Sequence, residues 1–320
     1  MSTAEPRTAA PAPAPASTPT PTPTPTGTIA LIGPGAIGTT VAAALHEAGR
    51  PVRLYGRTAR DRLVLRRGDS DTVVPGPVAT DPTTVGEPAE LVFLAVKTTQ
   101  LAATSSWLNA LVGPQTVVCV LQNGVEQLAA LEPIMPGARI VPSVVWFPAE
   151  TQPDGSVLLR GDARLTLPDD PASAVVRQAL HGSWCEVELS ADFASVAWRK
   201  LLQNAVAGLM VLTGRRAGMF RRDDIAALAL DYLRECLAVA RAEGAALDDD
   251  VPAELLARFR SFPEDLGTSI LADREAGRPL EWDARNGVVR RLGRKHGIPT
   301  PISDVIVPLL AASSDGADAG

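Results

Sequence analysis

The segment Thr28-Ile29-Ala30-Leu31-Ile32-Gly33-Pro34-Gly35-Ala36-Ile37-Gly38 most constrains what this chain can become. A short β-branched and aliphatic run predicts a buried strand, and GxGxxG follows it without a gap. Ile37, Val41, Ala44, Leu45 and Ala48 then recur on one side of a helix. Gly49 and Pro51 stop that helix, and Val52-Arg53-Leu54-Tyr55 starts a second strand. Strand, glycine turn, helix and strand in this order form the opening of a doubly wound α/β sheet that binds a dinucleotide. Gly33 permits the tight turn, Gly35 lets a pyrophosphate approach the backbone, and Gly38 lets helix and strand pack closely. Pro34, Ala36 and Ile37 complete the predicted cofactor cradle, where the helix N-terminus offers free N–H groups to phosphate.

The end of the second strand bears on which dinucleotide fits. An NAD site places Asp or Glu there for the ribose hydroxyls. This chain reads Tyr55-Gly56-Arg57-Thr58, with no acid at the position. Arg57 is therefore the candidate partner of an NADP 2′-phosphate, because its planar fork donates two hydrogen bonds at once. Arg60 and Arg62 lie close behind it.

Two more apolar runs, 91–96 and 116–121, read as buried strands joined by a helix over roughly 99–112, which predicts parallel pairing. Lys97 and Asn123 follow those two strands, so both are expected at the carboxyl ends, facing the cofactor crevice. Polar residues at such places also serve as ordinary loop residues. Strands are expected at 139–147, 156–160, 163–167 and 185–189, with an antiparallel hairpin around Gly161-Asp162. From Asp192 the pattern turns helical. A single helix from Ala194 to Val211 would carry Lys200 and Asn204 at i and i+4 on one face. Helices are also expected over Asp223–Glu243 and Pro252–Arg260. The expected organisation is a Rossmann-type domain over 27–191, an all-helical domain over 192–314, and tails at 1–26 and 315–320.

Composition narrows the function classes. The 320 residues are 46% hydrophobic with a formal charge of −6, unlike the basic surface of a nucleic-acid binder. No apolar run approaches the roughly 18 residues of a membrane span. Cys119, Cys185 and Cys236 are far apart, and His46, His181 and His296 likewise, so no metal site or disulfide framework is expected. Reduced, buried thiols in a cytoplasmic protein are the simpler reading. Residues 1–26, ending in PTPTPTPT, read as a polyproline-rich extension rather than a secretory signal.

Taken together, GPGAIG, Val96-Lys97, Gln122-Asn123-Gly124, Trp198-Arg199-Lys200, Asn204, Ser269, Glu281-Trp282-Asp283 and Gly297-Ile298-Pro299-Thr300-Pro301 resemble the ketopantoate reductase (2-dehydropantoate 2-reductase) family. The resemblance runs from about residue 28 to 305. It implies an NADPH-binding Rossmann domain joined to a helical domain, with a 2-keto acid between them. It also implies Lys200 as general acid and Asn123, Asn204, Ser269 and Glu281 as substrate partners. Lys97 would lie beside nicotinamide and substrate. Trp282, Pro279-Leu280 and Trp146-Phe147-Pro148 depart from the family pattern. The implied reaction is ketopantoate to pantoate, in pantothenate and coenzyme A biosynthesis. The sequence leaves open another 2-keto acid, a catalytically silent NADP-binding regulator, and assembly as a homodimer.

Overall fold

A computed structural model describes residues 27–315, so the expected tail at 1–26 and all of the expected tail at 315–320 except Asp315, which ends the last helix, lie outside the described residues. The strands, in chain order, begin with β1 (Ile29–Ile32), β2 (Val52–Tyr55), β3 (Arg62–Arg67), β4 (Ser70–Pro75) and β5 (Val78–Ala79). They continue with β6 (Leu91–Leu94), β7 (Val117–Val120), β8 (Arg139–Pro142) and β9 (Val144–Val145). The last four are β10 (Ala149–Thr151), β11 (Val157–Leu159), β12 (Ala163–Pro168) and β13 (Cys185–Ser190).

The central sheet has six strands in the order β5-β2-β1-β6-β7-β8, all parallel. The residues of β1, β6 and β7 are buried throughout, as continuous aliphatic strands covered on both faces should be. Helices α1 (Ala36–Glu47), α2 (Ser105–Leu111), α3 (Gln127–Leu131) and α4 (Pro171–Leu180) belong to this half. On one side of the sheet α1 packs Val41, Ala44 and Leu45 against Leu31 and Phe93. On the other, α2 packs Trp107, Leu108 and Leu111 against Val92 and Val118. Gly49, at φ +71, closes α1 in the left-handed conformation that glycine adopts without strain.

Two smaller sheets depart from expectation. The order β10-β11-β3-β4 forms one and β13-β12-β9 the other. The hairpin expected around Gly161-Asp162 is absent. Both edges of β11 are taken by β10 and β3, and both edges of β12 by β13 and β9. Gly161, at φ +74, instead turns the chain from one sheet into the other.

Beyond β13 the chain is helical: α5 (Phe193–Val206), α6 (Gly208–Thr213), α7 (Asp223–Ala242), α8 (Val251–Ser261), α9 (Ser269–Glu275), α10 (Val288–His296) and α11 (Pro301–Asp315), with a π-helical turn at Asp283–Gly287. The single helix expected from Ala194 to Val211 is divided at Ala207. Asn286 Nδ2 donates to the Ala205 carbonyl at 2.8 Å, taking an acceptor that a continuing helix would use. A Cβ on Gly208 would lie 2.8 Å from that same Nδ2, so the close approach requires glycine. Asp192 caps α5 by accepting from the Ser195 N–H at 3.1 Å. Leu201, Leu202, Tyr232, Leu233 and Phe259 build the helical core.

Cys119, Cys185 and Cys236 are free and buried in β7, β13 and α7. Burial pushes all three thiols well above the ordinary cysteine range. Among the described residues no helix is long and apolar enough to cross a membrane.

Candidate active site

The glycine turn has the geometry its sequence requires. Gly33 adopts φ +88, and its N–H donates to the Tyr55 carbonyl at 2.9 Å, tying the turn to β2. A Cβ on Gly38 would stand 2.4 Å from the Gly33 carbonyl oxygen, which explains the third glycine. A Cβ on Gly35 would meet nothing within 4 Å. Gly35 is also the N-cap of α1, with no side chain to occupy the helix's free N–H groups. An open backbone surface at a helix N-terminus suits a pyrophosphate. Pro34, Ala36 and Ile37 are partly exposed around it. Arg57 follows β2 and is exposed, and no hydrogen bond or ion pair engages its guanidinium among the described residues. These residues fit a dinucleotide, with Arg57 free to take a phosphate.

Lys97 and Asn123 follow β6 and β7 in the sheet. Gln122 Nε2 donates to the Val96 carbonyl at 2.9 Å, which ties the two connections together. Gln127 Nε2 reaches the carbonyls of Gln122 at 3.1 Å and Gly124 at 2.8 Å and so shapes the loop that carries Asn123. Gly124, at φ +110, allows the bend.

The helical half meets these loops through a continuous polar network. Asn204 Nδ2 donates to Asn123 Oδ1 at 3.2 Å. Asn123 Nδ2 donates to Glu281 Oε2 at 3.1 Å. Glu281 Oε1 accepts the Thr98 N–H at 3.1 Å and its hydroxyl at 3.3 Å. Lys97 Nζ pairs with Asp273 Oδ2 at 2.6 Å, and Arg278 Nε reaches Asp273 Oδ1 at 2.9 Å. Arg285 Nη2 donates to Ser269 Oγ at 3.0 Å and lies 3.4 Å from Glu281 Oε2. Lys97, Asn123, Asn204, Ser269 and Glu281, spread over 185 positions of sequence, are thus linked in space.

Lys200 stands on α5 one turn before Asn204, half-buried, with its amine 4.9 Å from the centre of the Trp146 ring. Trp146 is fixed by its indole N–H, which donates to Thr166 Oγ1 at 2.9 Å. Burial lowers the Lys200 pKa to about 8, with the charges of Arg285 and Arg258 adding to the shift. Burial acts to raise the Glu281 pKa, but Arg285, the Thr98 N–H, Asn123 and Lys97 outweigh it and hold the carboxyl below its ordinary value. The described residues thus include an ammonium with a pKa near 8 and a carboxyl held below its ordinary range.

Asp273, Arg285 and Thr98 also join the network, Trp146 lies against the Lys200 amine, and sequence reasoning assigned none of the four to the site. Arg285 could have been found from its i+4 spacing to Glu281. Asp273 lies four residues after Ser269, on the same short helix. Trp146 stands out only as a departure from the family pattern, and nothing local marks Thr98.

A dinucleotide-binding parallel sheet facing a helical domain, with lysines and carboxylates gathered between them, defines a two-domain oxidoreductase. Family models described as ketopantoate reductase PanE/ApbA and its C-terminal domain match residues 29–171 and 192–314. The 2-dehydropantoate 2-reductase of Mycobacterium tuberculosis H37Rv is 57% identical over 289 residues, covering 90% of this chain and 98% of that protein. The Caulobacter vibrioides 2-dehydropantoate 2-reductase is 38% identical, covering 90% of this chain and 99% of its own. The solved structure of the dimeric ketopantoate reductase of Staphylococcus aureus superposes with a TM-score of 0.83 at 26% identity, covering 91% of this chain and 99% of that one. The chain belongs to the ketopantoate reductase family.

Proposed function

We propose that this protein reduces ketopantoate to pantoate with NADPH, the step that serves pantothenate and coenzyme A synthesis. The observation that supports the reading is the hydrogen-bonded chain Asn204–Asn123–Glu281, with Lys200 one turn before Asn204 on α5 and its pKa lowered to about 8. Residues 27–191 hold the cofactor on this reading, and 192–314 supply the acid and most of the substrate contacts.

NADPH supplies the hydride that reaches the keto carbon. The turn from Gly33 to Gly38 takes the pyrophosphate and Arg57 the 2′-phosphate, while Lys97 and Asn123 line the crevice toward the nicotinamide. As the carbonyl oxygen gains negative charge, the Lys200 ammonium stabilises it and then gives it a proton from Nζ. A lysine near pKa 8 suits this step because it is protonated at neutral pH yet surrenders its proton more readily than a solvated one. Asn204, one turn along α5, steadies the substrate beside the amine. Ser269 donates to the substrate carboxylate. Glu281 accepts from the substrate hydroxyl, and an analogue without that hydroxyl leaves a buried acceptor with one bond fewer.

A homodimer fits the reading, because the Staphylococcus aureus relative is dimeric. A cytoplasmic setting fits it too, given three unpaired cysteines.

The test is NADPH oxidation with ketopantoate and with 2-ketoisovalerate, which lacks the hydroxymethyl group. Strong preference for ketopantoate is expected. Equal turnover would make the protein a reductase of another 2-keto acid. NADPH binding without oxidation of either compound would make it a silent regulator.

A further inference from the structure

The reaction scheme leaves one buried charge without a task. Arg285, in the π-helical turn, has a side chain only 3% exposed. A guanidinium in such a place is retained at a cost unless its donors are used. Its Nε has no partner. Its contact with Glu281 is long, at 3.4 Å, against about 2.7–2.9 Å for a close charged bond. Glu281 is already engaged by Thr98 on one oxygen and by Asn123 on the other. Arg285 is therefore not there simply to neutralise Glu281.

Its shorter bond is to Ser269. The Ser269 hydroxyl accepts from Arg285 Nη2 at 3.0 Å, and a hydroxyl has a single proton to give. With a lone pair turned to the guanidinium, that proton points away from Arg285. Ser269 is exposed at the start of α9, so its O–H is available as a donor. Charge points the same way. Lys97, Lys200 and Arg285, with Arg278 on the outer side of Asp273, outnumber Asp273 and Glu281, so the charged groups here carry more positive than negative charge. A monoanion entering the cleft reduces that imbalance.

We propose that Arg285 is a specificity-determining positioning residue, which fixes the Ser269 hydroxyl as a donor and makes the cleft select the carboxylate of a 2-keto acid over an uncharged carbonyl compound. The proposal rests on the keto-acid reading above and adds to it the group that recognises the acid.

The test compares kcat/KM for 2-ketoisovalerate and for its methyl ester, which loses the charge and gains one methyl group. It uses the unaltered protein, Arg285→Leu, Arg285→Gln and Arg285→Lys. The acid-to-ester ratio is expected to fall about 10–100-fold in the Leu and Gln variants, the usual worth of a charged hydrogen bond. The KM for the acid should rise, the KM for NADPH should stay unchanged, and the Lys variant should recover part of the ratio. A folding defect would lower acid and ester together, so an unchanged ratio in any folded variant overturns the proposal. So does an Arg285→Lys variant no better than Arg285→Gln. If the unaltered protein turns over neither ketopantoate nor 2-ketoisovalerate, the functional reading itself has failed. Calorimetry of pantoate binding to the NADP-loaded protein then decides the proposal alone. Weaker binding by Arg285→Gln upholds it, and equal binding, or none by either protein, overturns it.

Discussion

Lys97 Nζ and Asp273 Oδ2 lie 2.6 Å apart, although 176 residues separate them in sequence. Lys97 leaves the central sheet and Asp273 sits in α9, so the pair joins the two halves of the molecule across the site. Asp273 is 5% exposed and shared with Arg278, so its position is set by the helical half rather than by Lys97. Asp273→Asn keeps the shape and removes the charge that orients the Lys97 amine. The expected outcome is a loss of about 10-fold or more in kcat/KM for the keto acid, in line with the cost of a misplaced contact. Steady-state kinetics check this, and an unchanged value would show that Lys97 is oriented by something else.

Lys200 has a sharper signature. Lys200→Ala should lower kcat about 10²–10⁴-fold, the usual worth of a positioned acid. Because the acid must be protonated, the rate of the unaltered protein should fall as pH rises through about 8. Arg285 and Arg258 are the charges that set this value with burial, so removing either should move the fall to higher pH. A pH–rate profile measures both effects.

The same lysine should cost stability. Its pKa is about 8 in the folded protein against 10.5 for the free group, so between those values the unfolded chain holds more protons. Stability of the unaltered protein should therefore rise with pH across that window. Lys200→Met should be more stable by about 1 kcal/mol below pH 8, a typical gain when a strained functional group is removed. The difference should shrink as pH climbs toward 10.5, which denaturant titrations at several pH values would reveal.

Two glycines of one motif should fail in different ways. Gly38→Ala forces a Cβ against the Gly33 carbonyl and should destabilise the fold by about 1–3 kcal/mol. Gly35→Val points into open space in the protein itself, so its thermal unfolding should change little while NADPH binding is lost. Melting curves with and without NADPH separate the two cases.

Arg57→Gln should raise the KM for NADPH about 10–100-fold and leave that for NADH nearly unchanged, through loss of a charged pair to the 2′-phosphate. An unchanged ratio would remove Arg57 from cofactor selection.

What the sequence made readable was whatever is local. The GPGAIG turn, the buried strands on either side of Lys97 and Asn123, and the change to helix after Asp192 each depend on neighbours a few residues away. The strands Arg62–Arg67 and Ser70–Pro75 were hidden because short, charge-rich alternation is a weak signal, even with Gly68 turning between them. The Gly161 hairpin was misread because edges already occupied by distant strands override a local turn. In the site, each expected residue belonged to a recognisable stretch, while Asp273 and Trp146 matter only through partners in the other half of the chain.

The placement of the cysteines has a chemical consequence of its own. Peroxides and disulfides react with thiolates, and a thiol whose pKa is raised by burial forms almost none at neutral pH. Cys119, Cys185 and Cys236 are closed inside three separate elements. Oxidants that silence thiol-dependent reductases therefore meet no exposed thiol here.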